Sequence, residues 1–138
     1  MQYRVTATST AKLDANIAIK QTAVQFGITE STSDSLANPA ELFLSSLAAC
    51  ILKNVERFSE FMNFEYTNAE ITLSATRLAK PPRMENINYD LHIYSTDQHI
   101  NLALLKKNIE KFGTIYNTVM KSCSISGNIE IITDQPIA

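Results

Sequence analysis

Sulfur and imidazole are the scarce reactive groups of this sequence: two cysteines, Cys50 and Cys123, and two histidines, His92 and His99. A cysteine acts as nucleophile or redox centre through its thiolate, and burial disfavours that form, so a reactive cysteine needs a nearby cation or hydrogen-bond donor. Cys50 lies in the apolar run Leu47-Ala48-Ala49-Cys50-Ile51-Leu52. Plain core packing is the default reading there, because free cysteine is among the most buried residue types. If the run is helical, Lys53 at i+3 and Arg57 at i+7 are the basic residues near its face. Cys123 has the parity of Ile125, Ile129 and Ile131 in an alternating stretch and reads as an inward-pointing core residue. Neither cysteine has a partner at C-x-x-C distance, and two cysteines with two histidines cannot make a four-ligand structural zinc site unaided. His92 sits on the polar face of a strand pattern, His99 falls in a helix's first turn, and Arg83 in a Pro-Pro-Arg turn reads as surface. No Ser/His/Asp triad or paired-carboxylate constellation follows from the spacing, and neither metal nor cofactor is expected.

The element that must position Cys50 begins at Asn38. Asn38 suits an N-cap and Pro39 the first helical position, where its missing N–H costs nothing; Glu41 at the third position completes a capping box. From Leu42 to Met62 the chain reads as a helix of about six turns. Its first half is apolar on every face, which predicts a central, buried helix; from Lys53 it becomes amphipathic. Ahead of it come short strands at about 2–9, 16–21 and 23–27 and a polar loop from Thr29 to Asn38. Behind it, period-two patterns around Ile71-Leu73-Ala75 and Ile87-Tyr89-Leu91-Ile93 predict two long strands, joined through Lys80-Pro81-Pro82-Arg83. A second helix runs from about Asp97 to Gly113, one or two further turns from Thr114 to Lys121, and a closing strand contains Ile125, Ile129 and Ile131. This order gives an α+β fold with a mostly antiparallel sheet.

Composition bounds the rest. At 138 residues, 45% hydrophobic and 19% charged, the chain fits a single globular domain over 1–138. Three glycines leave almost nothing from which to build a phosphate cradle. A net charge of −2 with dispersed basic residues argues against a nucleic acid or membrane partner. The first ten residues alternate like a strand rather than a signal peptide, which points to the cytoplasm, where a disulfide between the two cysteines would be transient or absent.

The segment Asn38-Pro39-Ala40-Glu41-Leu42-Phe43-Leu44-Ser45-Ser46-Leu47-Ala48-Ala49-Cys50 closely resembles the OsmC/Ohr family, the osmotically inducible and organic hydroperoxide resistance proteins. Lys80-Pro81-Pro82-Arg83 and the helix ending Glu110-Lys111-Phe112 extend the resemblance over nearly the whole chain. It implies an OsmC-like fold with a long buried central helix, assembled as an intertwined homodimer. It also implies thiol peroxidase chemistry, in which a helix cysteine attacks a hydroperoxide, a second cysteine resolves the sulfenic acid, and an arginine and a glutamate support the thiol. Cys50 falls on the attacking position. The resolving position falls on Gly113, the glutamate position on Ala40 with Glu41 beside it, and the arginine position nearest Lys12. The candidate catalytic residues are therefore Cys50, Glu41 and Lys12, with an external thiol as reductant and a small hydrophobic peroxide as substrate. The alternative is a non-catalytic dimer of the same fold that binds a small hydrophobic ligand at its interface.

Overall fold

The computed structural model describes residues 1–133. The chain forms two compact units, Met1–Phe43 and the residues from Leu44 on. The first holds β1 (Thr6–Ser9), β2 (Ala15–Ile19) and β3 (Thr22–Phe26) in one antiparallel sheet of order β1-β2-β3, then a 3-10 turn at Glu30–Thr32. Asp14 secures that turn by accepting the Thr32 hydroxyl at 2.7 Å. Among the described residues of this unit Ala15 is the buried hydrophobic one, while Tyr3, Val5, Leu13, Val24 and Ile28 are exposed.

Helix α1 spans Pro39–Phe61. Its start follows the expected chemistry: the Glu41 N–H donates to Asn38 Oδ1 at 2.9 Å and the Asn38 N–H donates to Glu41 Oε1 at 3.0 Å, a closed capping box. Burial follows one stripe, Leu47, Ile51, Val55 and Phe58, at helical spacing. The expectation of a first half buried on every face holds only for that stripe, since Phe43 and Ala49 are exposed within the single chain.

In the second unit β4 (Asn68–Ala79), β5 (Pro82–Tyr94) and β6 (Ile125–Ile132) form a sheet of order β4-β5-β6. β4 and β5 are antiparallel, but β6 runs parallel to β5, so this sheet is mixed. A parallel neighbour needs a long crossover, which the helices α2 (Leu102–Phe112) and α3 (Thr114–Val119) provide. β5 starts at Pro82 itself, so the double-proline connection is a tight turn with one proline already at a strand end, where a ladder donor is dispensable. α2 starts at Leu102 rather than near Asp97. Asp97 instead holds a loop by accepting the backbone N–H groups of His99 at 2.9 Å and Glu65 at 3.3 Å, and Asn101 caps the helix by accepting the Leu104 N–H.

The core gathers Leu47, Ile51 and Val55 of α1, the alternate residues Ile87, Tyr89, Leu91 and Ile93 of β5, and Leu105, Ile109, Tyr116 and Val119 of the crossover helices. No helix among the described residues is long and apolar enough to cross a membrane.

Candidate functional site

Cys50 lies at the start of the fourth turn of α1, between the buried positions Leu47 and Ile51, and is half-buried with a free thiol. Besides the core residues it packs against, Asn54 and Gly113 lie close to its sulfur. Asn54, one turn further along the same helix face, points its side-chain Nδ2 at Sγ from 4.0 Å, and Asn54 is only 6% exposed. Gly113, at the junction of α2 and α3, lies opposite: a Cβ there would stand 3.0 Å from Cys50 Sγ, 2.9 Å from Tyr116 Cβ and 3.0 Å from the Ile109 carbonyl oxygen. The Gly113 backbone, at φ −79° and ψ 115°, is open to any L-residue. Glycine is therefore favoured there by close approach rather than by backbone conformation.

Behind this junction lies a polar network. Glu110 Oε1 accepts from Lys106 Nζ at 2.8 Å and from the Tyr89 hydroxyl at 3.2 Å. Tyr116 lies beside Glu110; its phenol is pushed up to about 12, by burial first and by the Glu110 charge second. Tyr89 is raised further for the same reasons. Tyr89 can reach across because its ring covers Gly127 on the neighbouring strand, where a Cβ would lie 2.0 Å from ring atoms. A groove of about 610 Å³ opens over this network, lined among others by Lys106, Lys107, Glu110, Lys111, Tyr116 and Met120.

The other residues singled out by sequence fall elsewhere. Lys12 is an exposed residue with φ 68° in the turn between β1 and β2. Glu41 is exposed in the first turn of α1, its carboxylate engaged in the capping box. Both belong to the first unit and Cys50 to the second. Cys123 is half-buried just before β6 and donates its S–H to the Met84 carbonyl at 3.3 Å, a structural tie to β5. His92 pairs with Asp90 at 3.2 Å and Glu130 at 3.6 Å on the polar face of the mixed sheet. Arg83 is exposed and hydrogen-bonds the carbonyls of Lys80 and Pro81. Among the described residues no three His, Cys, Asp or Glu side chains are placed to hold a metal ion. Sequence reasoning did not find Asn54 or the Tyr89–Glu110–Tyr116 network. The available signal for Asn54 was a polar residue four positions after the cysteine, on the same face of an apolar run.

The family model described as OsmC-like protein matches residues 32–128, from the turn preceding α1 into β6. The chain belongs to the OsmC-like family. No curated protein matches it in sequence. Among solved structures, the OsmC-like protein of Mycoplasma pneumoniae superposes with a TM-score of 0.85 at 17% identity, covering 96% of this chain and 98% of that one. An organic hydroperoxide resistance protein OsmC from Legionella pneumophila gives 0.71 at 14% identity, covering 94% and 98%. The organic hydroperoxide resistance protein OhrB of Bacillus subtilis gives 0.63 at 12%, again covering 94% and 98%. At these identities the likeness is one of fold, and the OsmC-like fold is shared over almost the full length of each chain.

Proposed function

We propose that this OsmC-like protein is a thiol-dependent redox protein that reduces small organic hydroperoxides at Cys50. The observation that carries this reading is the setting of the sulfur: half-buried on the central helix, with an amide N–H aimed at it and a glycine backbone against it. In the reaction the Cys50 thiolate attacks the distal oxygen of the hydroperoxide. The O–O bond breaks, the sulfur is oxidised to a sulfenic acid, and the alkoxide leaves and takes up a proton as the alcohol. With Gly113 beside the sulfur there is no second thiol at that place, so an external dithiol closes the cycle. It returns Cys50 to the thiol and is itself oxidised to a disulfide, releasing water.

Lys12 and Glu41 are the charged residues assigned to the same chemistry by the family pattern, a lysine giving charge without the fork of an arginine. The assembly is a homodimer in this reading. The first unit, with Ala15 as its buried hydrophobic residue among the described ones and with Val24 in its sheet and Val5, Leu13 and Ile28 beside it exposed, has too little core of its own and calls for cover by a second copy. The alternative is a non-catalytic dimer of the same fold that binds a small hydrophobic ligand at its interface.

The test is consumption of an organic hydroperoxide by the reduced protein with a dithiol present. Turnover lost in Cys50→Ser and kept in Cys123→Ser supports the reading; equal turnover in both variants overturns it.

A further inference from the structure

The sulfur of Cys50 has a single recorded polar partner among the described residues, the side-chain amide of Asn54. Asn54 is 6% exposed on a helix face otherwise packed with Leu47, Ile51, Val55 and Phe58. Burying a carboxamide among such residues is unfavourable unless it is hydrogen-bonded, and a thiol is a weak partner for a neutral N–H. The same N–H is a much better partner for a thiolate, because hydrogen bonds to an ionised acceptor are about twice as strong as neutral ones. A buried amide aimed at a sulfur is thus a modest investment in the resting thiol and a larger one in the reacting form.

Within the second unit, the ionisable groups named below do not take this role. On α1, Lys53 is exposed and Arg57 lies over the rings of Phe58 and Phe61 at 5.5 and 5.6 Å. On α2, Lys111 lies over the Phe112 ring, and Glu110 is engaged by Lys106 and Tyr89. Tyr116 on α3 and Tyr89 on β5 are held neutral beside Glu110. We infer that Asn54 is the positioning residue of Cys50, holding the sulfur toward its reaction partner and stabilising its thiolate through the Nδ2–H. This rests on the reading of Cys50 as a reacting thiol.

The experiment follows alkylation of Cys50 by iodoacetamide across pH in a Cys123→Ser background, with Asn54→Leu, Asn54→Asp and Asn54→Gln compared. Asn54→Leu keeps the volume without a donor, and Asn54→Asp keeps the shape while replacing the donor by a carboxylate. Both should slow alkylation at neutral pH by about three- to tenfold and displace the pH profile upward, a tenfold loss corresponding to one pH unit. Asn54→Gln, which keeps the amide, should recover most of the rate. Thermal melts identify any variant that fails to fold, and Asn54→Asp, the closest in shape, then carries the comparison with Asn54→Gln. If the parent protein alkylates readily and the Leu and Asp variants share its pH profile, Asn54 has no such role and the reading of Cys50 stands. If the folded parent resists alkylation altogether, the reading of Cys50 as a reacting thiol fails, and the role of Asn54 with it.

Discussion

Replacing Gly113 by cysteine should place a second thiol against Cys50 and let the two close a disulfide. A Cβ at position 113 lies 3.0 Å from Cys50 Sγ. One C–S bond and one S–S bond taken through the sulfur angle span about 3 Å, so the geometry is already that of a disulfide arm. The backbone at φ −79° accepts a side chain. The cost lies in the neighbours: Tyr116 Cβ at 2.9 Å and the Ile109 carbonyl at 3.0 Å must each give way. Overpacking of this kind costs about 1–3 kcal/mol, so the reduced variant should be less stable than the parent. Oxidation closes a loop of about 63 residues, which chain entropy values at about 4 kcal/mol. The oxidised variant should therefore melt on the order of 10 °C above its own reduced form and at or above the parent. The assay is a pair of thermal melts, with and without reductant, together with peptide mass mapping of the bridge. The refuting result is a variant that folds, retains two free thiols under mild oxidant, and melts at one temperature in both conditions. The Cys50 sulfur would then not face position 113.

Three further outcomes follow from contacts described above. Asn38→Ala removes the acceptor for the Glu41 N–H at 2.9 Å and should destabilise by about 1 kcal/mol, seen as a Tm lower by about 3 °C; an unchanged Tm would show that the capping box contributes nothing. Gly127→Ala drives a Cβ into the Tyr89 ring and should cost about 2 kcal/mol or more by denaturant unfolding, whereas a change under about 0.5 kcal/mol would contradict the packing. Tyr116 has a folded pKa raised to about 12 from 10.0, and Tyr89 is raised as well. Their contribution to stability is complete below about pH 10 and is lost as pH rises from 10 toward 12, because the unfolded phenols ionise first. The double variant Tyr89→Phe with Tyr116→Phe should flatten that alkaline fall in unfolding free energy, and an equal slope in parent and variant would exclude the linkage.

What the sequence disclosed was chiefly local. Asn38, Pro39 and Glu41 carry a helix start in their own side-chain chemistry, and the Leu47–Leu52 run placed Cys50 on a core-facing helix. Alternation identified β4 and β5, with Ile71 set against Leu91 in the ladder. Direction was not legible, because alternation is the same whichever way a strand runs, and β6 pairs parallel to β5. The start of α2 was misplaced by several residues because Asp97 and Asn101 are both good capping types, and only the fold shows Asp97 committed to the Glu65 backbone. The family pattern set Gly113 at the place of a partner to Cys50 but carried no distance between them. That a Cβ at one would stand 3.0 Å from the sulfur of the other is a tertiary fact. Asn54 stayed hidden for a related reason: a lone asparagine in a helix reads as solvated until the packing around it is known. The Tyr89–Glu110 bond likewise depends on the missing side chain at Gly127, a cross-strand relation that no spacing along the chain reveals.

The central claim is that Cys50 is a reacting thiol, and trapping its oxidised form tests it most directly. The reduced protein is mixed with one equivalent of an organic hydroperoxide in the presence of a sulfenic-acid trap, and the adduct is located by peptide mass. The expected result is a single adduct at Cys50, formed at the same rate in Cys123→Ser and absent in Cys50→Ser. Peroxide consumed with no adduct at Cys50, or an adduct at Cys123 alone, would contradict it.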